Sequence, residues 1–366
     1  MKLLSINLWY EKYRNKTNAQ LASFRLFGYS TDVAVITGNN GNHTVKICSV
    51  TDSALTRGEE QSFGSYRSAF RFLFDWAIEQ KYDLIYIRRL MSKLFYAAPF
   101  IRAAGRIIPI VYEIPTFPLD TNETMLYRLR DLLEMKLYST LNDSIALTAV
   151  ILRQDMELPD NWISFHNGID ISGYRVTPVP ELSNEIRFII IANMAEWHRY
   201  DRMIHSMKKY DGPYKLHLTV IAPENNTVSE LKHLAEETGL NDRIDFKGQR
   251  DILEIREISK TCHIGIGQLS WSTDCSSQIN TLKTKEYCAM GLPFVLSCRD
   301  TSFDSDYPYA YLLKNMDDEL DLEDVIKWYE DVHRNPGYRQ EMYDYAKENL
   351  QFHELAEQIR DKLKQG

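Results

Sequence analysis

Short apolar runs alternate along this chain with longer stretches in which hydrophobic residues recur every three or four positions. That alternation is the pattern of β-α units feeding parallel sheets. In the first half it predicts strands at 2–7, 31–36, 44–48, 84–87, 108–112, 144–147 and 162–165. Helices are predicted between them near 17–28, 62–79, 91–105, 122–141 and 150–157. Phe70, Leu73, Phe74 and Ala77 recur at i, i+3, i+4, i+7, a stripe that faces a core. Phe72 and Trp76 lie off that stripe and are expected to pack in a second layer rather than touch a lipid or an interface.

Residues 173–185 carry two prolines and no period, so an inter-domain linker is expected there. A second series follows, with strands at 186–192, 216–221, 244–247, 264–267 and 293–296. Helices near 198–209, 228–238, 251–259 and 281–290 accompany them. From 320 to 364 the pattern is helical throughout. The expected domains are therefore 1–172 and 186–344, two Rossmann-like α/β halves, with a helical tail at about 345–366. No internal repeat is present.

The 366 residues suit two domains, and 44% hydrophobic with 26% charged residues is a globular balance. The net charge of −8 argues against a nucleic-acid partner. The five cysteines form no C-x-x-C pair, which excludes zinc-ribbon and thioredoxin motifs; with no signal peptide recognised, reduced thiols and a cytoplasmic location are expected. No apolar run reaches the ~20 residues of a spanning helix. Residues 1–170 hold 19 basic and 18 acidic side chains, and the remainder holds 24 and 33. The near-neutral front half is compatible with peripheral contact at an anionic inner membrane face, and equally with ordinary scatter.

Common nucleotide and hydrolase motifs are missing: G-x-G-x-x-G, the P-loop, G-x-S-x-G and H-E-x-x-H. The informative stretch is 276–297, where polar residues open a helix that ends at Gly291 and feeds a buried strand. A helix opening at Thr281 and Leu282 offers unpaired N–H groups suited to a diphosphate. Lys283 would add charge, and Glu286, three residues on, could accept two ribose hydroxyls. The same spacing also fits a surface helix with an i, i+3 ion pair.

This stretch resembles the donor-site signature of retaining, GT-B-fold glycosyltransferases of family 4, whose pattern is E-x(7)-E within "K-x-x-E-Y-x-A-x-G-x-P-V-V". Lys283, Glu286-Tyr287, Ala289, Gly291 and Pro293 match. Phe165-His-Asn-Gly-Ile-Asp170 resembles "x-N-G-V-D", and Tyr82-Asp-Leu-Ile-Tyr-Ile-Arg88 resembles "Y-D-V-I-Y-x-R". Ile244-Asp-Phe-Lys-Gly248 resembles "V-x-F-x-G", and residues 189–204 resemble "V-G-R-L-x-x-x-K-G-x-D-x-L-I". The resemblance implies two Rossmann-like domains facing a cleft, with helices 341–364 returning to the first domain and a hinge about 170–185.

It also implies transfer of a sugar from a nucleotide-diphosphate sugar to a polysaccharide or lipid-linked oligosaccharide, without cofactor or metal. No D-x-D pair stands in a suitable loop; Asp304-Ser-Asp306 is expected at the surface. Donor binding would fall to Glu286, Lys283, Thr281, Leu282, Asn193, Arg199 and Gly248. Gln278 stands where the family's first Glu contacts the sugar, which implies altered sugar preference. Asn193 and His198 replace the family's Arg and Lys, so a His198 protonated by the adjacent phosphate, with Arg199, Arg202 and Lys283, would offset part of the leaving diphosphate's charge. Glu113 replaces a His and is the expected acceptor contact or general base. The basic, aromatic loop 8–18 would shape the acceptor end. The rival readings are a partner subunit that has lost activity and an epimerase on the same fold.

Overall fold

The computed structural model describes residues 1–38, 41–51, 55–119, 125–152, 156–270, 280–314 and 320–365. The chain divides into two compact units, Met1–Asp170 with Gln351–Gly366, and Ile171–Leu350. In the first unit β1 (Lys2–Ile6), α1 (Arg14–Leu26) and β2 (Ser30–Thr37) are followed by β3 (His43–Val50) and β4 (Leu55–Phe63). Next come α2 (Tyr66–Glu79), β5 (Leu84–Arg88), α3 (Leu94–Ala104), β6 (Ile110–Phe117), α4 (Met125–Ser139), β7 (Leu147–Leu152) and β8 (Trp162–Ser164). The eight strands lie in the order β4-β3-β2-β1-β5-β6-β7-β8. All pairs are parallel except β2 with β3 and β3 with β4.

Alternate residues of the central strands serve opposite faces, as the period of a strand requires. Leu4, Ile6, Ile85 and Ile87 join Phe70, Leu73, Phe74 and Ala77 of α2 in one core. Leu3, Val33, Leu84 and Tyr86 join Phe24 of α1 in the other, together with Phe352, Leu355 and Ile359 from the chain's end. Phe72 and Trp76 are half-buried, against Phe63 and Tyr82, so they pack in a second layer.

The second unit runs β9 (Glu185–Ile191), α5 (Asp201–Lys209), β10 (Lys215–Ile221), α6 (Asn226–Glu237), β11 (Ile244–Phe246), α7 (Ile252–Ser259) and β12 (Ile264–Ile266). Then follow α8 (Leu282–Ala289), β13 (Phe294–Leu296), β14 (Ala310–Leu312), α9 (Leu322–His333) and α10 (Tyr338–Asn349). Its six strands are all parallel, in the order β11-β10-β9-β12-β13-β14. The order reverses between β9 and β12, and the carboxyl ends of those two strands mark the crevice where open α/β sheets bind ligands. The final helix, α11 (His353–Gln365), belongs to the first unit.

The structure differs from the expected elements in several places. The segment 147–152 is a strand, so the strand expected at 144–147 is displaced and the helix expected from 150 does not begin there; Leu147, Ala149 and Val150 are buried between β6 and β8. The helix expected to open at 62 is preceded by the unpredicted β4, a polar edge strand whose antiparallel pairing to β3 holds it without an apolar run. The short β14 was also unpredicted. The presumed linker 173–185 lies against the second unit's own helices. Buried Arg339 donates to the Pro178 carbonyl at 3.0 Å and to Thr177, and His333 lies 3.0 Å from the Pro180 carbonyl.

Gly265 lets β12 approach α8. A Cβ there would stand 2.9 Å from the Tyr287 ring, which is fully buried. Gly265→Ala is expected to destabilise the protein by about 1–3 kcal/mol through overpacking, read as a lower midpoint in urea or heat unfolding.

Candidate functional site

Helix α8 is placed by buried polar contacts. The Tyr287 hydroxyl accepts from the Ile191 N–H at 3.1 Å and lies 3.1 Å from the Ile266 carbonyl, so it joins the ends of β9 and β12 at the switch point. Gly291, at φ +65°, closes the helix with its N–H on the Cys288 carbonyl, while Leu292 N–H bonds the Tyr287 carbonyl. At the other end Asp300, 2% exposed, accepts from the Thr284 hydroxyl at 2.6 Å and from the Ser302 N–H at 3.0 Å. Buried Lys285 lies 3.8 Å from Asp300 and donates to Asn280 Oδ1 at 2.9 Å and to the Thr281 carbonyl at 3.1 Å. Burial pulls the Lys285 pKa down while Asp300 favours its charge.

These bonds hold the helix opening but do not cap it. Helices α2, α6 and α7 have side-chain caps from Ser65, Asn225 and Asp251. Thr281 makes no cap bond to α8, and among the described residues the N–H groups of Leu282, Lys283 and Thr284 have no backbone acceptor. Thr281, Leu282, Lys283 and Glu286 are all partly exposed.

Lys283 forms no ion pair with Glu286; its Nζ donates to the Tyr200 hydroxyl. Burial lowers the Lys283 pKa to about 8, against the pull of Glu286. Burial raises Glu286 to about 7, against Arg256 and Lys283. The Glu286 carboxylate accepts no hydrogen bond from the described residues. The surface-pair alternative therefore does not describe this helix.

The loop after β9 stands beside it. His198 is 9% exposed and its ring lies between Trp197, at 3.9 Å, and Tyr200, at 5.4 Å. The Ala195 N–H donates to its Nδ1 at 3.1 Å, which leaves the proton of the neutral ring on Nε2. Burial, then the Lys283 charge, lowers its pKa to about 4. Burial and the Lys283 charge thus favour the neutral ring, so the charge expected of His198 would have to come from an adjacent phosphate. Asn193 is exposed. Arg199 has its guanidinium on Asp201, with Nη2 to Oδ2 at 3.1 Å. Arg202, in the first turn of α5, is buried and donates to the Leu269 carbonyl at 2.6 Å, tying the start of α5 to the loop after β12. Gly248 follows β11 at φ +70° with open space where a Cβ would stand.

Glu113 belongs to the first unit and is fully buried. Its Oε1 meets Arg88 at 2.6 Å and Lys16 at 3.4 Å, while Oε2 accepts from Tyr86 at 3.0 Å and Gln20 at 3.1 Å. Burial alone would raise its pKa, but Arg88, Lys16 and the two hydrogen bonds hold it below the ordinary value. A carboxylate so enclosed anchors β5, β6 and α1, rather than serving as the acceptor contact or base expected. Gln278 lies outside the described residues. Asp304 and Asp306 are not buried, and among the described residues no cluster of His, Cys, Asp and Glu could hold a metal ion. Sequence reading missed Asp300, Lys285 and Tyr200, whose roles come from contacts distant in sequence, as well as Arg256.

No protein-family model and no curated protein sequence matches the chain. Solved structures do. HepE of Anabaena in complex with UDP has a TM-score of 0.68 at 15% identity, covering all of both chains. Sucrose-phosphate synthase from Thermosynechococcus elongatus gives 0.62 at 10%, covering 100% of this chain and 98% of that one. The catalytic domain of starch synthase IV from Arabidopsis thaliana, bound to ADP and acarbose, gives 0.67 at 9%, with 100% and 99% covered. The likeness establishes the fold: two parallel-sheet α/β units of the GT-B type.

The desolvated Lys283 ammonium costs folding energy. Its folded pKa, about 8, is below the ordinary lysine value of 10.5, so the penalty is complete below pH 8 and vanishes as pH rises past 10.5. Lys283→Met is expected to raise Tm at pH 7, with the gain shrinking toward pH 10, measured by calorimetry across that range.

Proposed function

We propose that this chain is a glycosyltransferase that uses a nucleotide-diphosphate sugar. The uncapped opening of α8 carries this reading, because among the described residues its first N–H groups have no acceptor and the Glu286 carboxylate beside Lys283 has no hydrogen-bond donor. The diphosphate would meet the N–H groups of Leu282 and Lys283 and the Lys283 ammonium. Glu286 would accept two ribose hydroxyls. Asn193 and the Nε2–H of His198 would supply neutral hydrogen bonds to the phosphates. Arg199 would contribute once drawn from Asp201, and Gly248 would leave room for the ligand.

Charge builds on the departing phosphate as the glycosidic bond breaks, so fixed donors there lower the barrier. Retention of configuration, independence of metal, a sugar contact from Gln278, and a glycan or lipid-linked acceptor complete the proposal. HepE with UDP-glucose and starch synthase IV with ADP and acarbose are neighbours of the same fold whose ligands agree with it. A second reading, an inactive partner subunit, draws on one observation: Asn193 and neutral His198 bring no charge to the positions where the resembling family has two cations.

Isothermal titration of wild type and Glu286→Ala with UDP, GDP, ADP and their glucose conjugates separates the two. One nucleotide should bind, and the variant should lose about tenfold or more in affinity, the loss of charged hydrogen bonds worth ~1.5–3 kcal/mol. Absence of binding by every nucleotide leaves the inactive subunit. The pH dependence should be bell-shaped. Glu286 must be ionised, which requires pH above about 7, and Lys283 charged, which requires pH below about 8. Maximum affinity is therefore expected between those values, in titrations run from pH 5.5 to 9.5.

A further inference from the structure

Beside α8 lies a cavity of about 260 Å³, set between α7 and residues 173–177. Leu253 and Met290 give it apolar walls, and Arg256 of α7 lines it with a half-buried guanidinium. Among the described residues no carboxylate pairs with Arg256, and its buried Nε has no hydrogen-bond partner. The cavity's other cations are engaged: Lys260 pairs with Glu257, and Arg175 donates to two backbone carbonyls. Packing holds the Arg256 guanidinium instead. Its carbon stands 4.1 Å from the centroid of the Tyr174 ring. Gly173 leaves room for it, since a Cβ there would fall 2.6 Å from Nη2. A cation held flat and given no acceptor keeps its donors for a group that enters the cavity.

The cavity continues the line of the candidate donor site. Lys283, Glu286 and Met290 recur at i, i+3, i+7, so they share one face of α8. At 1.5 Å per residue that face spans about 10 Å, the reach from a diphosphate across a ribose to a base. Arg256 is close enough to be the strongest pull on Glu286 toward its charged form. The cavity therefore adjoins the ribose end of the site and not its phosphate end.

On the nucleotide reading above, we propose that Arg256 selects the donor's base. It takes one that presents a ring carbonyl oxygen, uracil or guanine, over one that presents an amine. A guanidinium has five N–H donors and no acceptor. It can bond O4 of uracil, or O6 and N7 of guanine together. The amines of adenine and cytosine meet it donor to donor. A site built to hydrogen-bond one group rejects an analogue lacking it far more strongly than an apolar slot does. Walls such as Leu253 and Met290 suit any planar ring, so the guanidinium decides among the bases.

Isothermal titration of the full chain with UDP, CDP, GDP and ADP tests this. UDP and CDP differ chiefly in one carbonyl oxygen replaced by an amine, and GDP and ADP carry the same contrast. The wild type should favour UDP over CDP, or GDP over ADP, by about tenfold or more. Arg256→Lys keeps the charge beside Glu286 but loses the planar fork, so that ratio should fall toward one. Gly173→Ala should lower it too, by crowding Nη2 without removing the guanidinium. A loss common to all four nucleotides cancels in the ratio, which separates base reading from an effect through Glu286 alone. A wild-type ratio near one overturns the proposal, and so does a preference for the amine-bearing bases. An unchanged ratio in Arg256→Lys overturns it as well. Should that variant fail to melt cooperatively, the ratio in Gly173→Ala decides. If no nucleotide binds the wild type, the donor reading falls and base selection with it; nucleotides bound without preference sink base selection alone.

Discussion

The buried Lys285–Asp300 pair sets the geometry on which the second unit's candidate site depends. An ammonium and a carboxylate removed from water are tolerated only where other dipoles complete their shells. Here Asn280, Thr281, Thr284 and Ser302 do so, and each of those bonds fixes the entry to α8. A helix start stabilised from below has no need of a side-chain cap. Its first N–H groups stay available on the side away from Asp300. The two half-buried groups above, Lys283 and Glu286, are desolvated by the same packing that holds the helix in place.

Much of the fold could be read from the chain because it is governed by period. The apolar runs in 186–192 and 216–221 became β9 and β10 almost residue for residue, since a strand covered on both faces needs apolar residues on both. The failures have a common cause. Strand β4 carries Arg-Gly-Glu-Glu-Gln, no apolar run, and it is held chiefly by its backbone pairing to β3. In 147–152 the apolar residues suit a helix or a strand, and placement between β6 and β8 decides.

The site was legible only where chain-local chemistry defines it. The polar opening of α8, its Gly291 stop and the Lys283/Glu286 spacing are local, and the structure brings them together. Protonation and exposure are not local. Nothing near Glu113 in sequence discloses that Lys16, Gln20, Tyr86 and Arg88 converge on it. Nothing near His198 discloses that Lys283 is close enough to oppose its charging. The residue types in a site can be read early; their electrostatic state follows from the packing.

The polar edge strand β4 has its own consequence. An open sheet edge presents unpaired backbone groups to any other extended chain. Here that edge carries exposed Glu59, Glu60 and Gln61, and a bulge between Lys46 and Cys48 breaks the ladder beside Gly58, where a Cβ would stand 2.3 Å from the Ile47 carbonyl. At the opposite edge β8 is only three residues long. The first sheet is thus guarded at both margins, by charge and irregularity on one side and by brevity on the other. Such a sheet resists recruiting strands from neighbouring chains, so the long apolar strands at its centre can be made in a crowded cell without seeding fibrils.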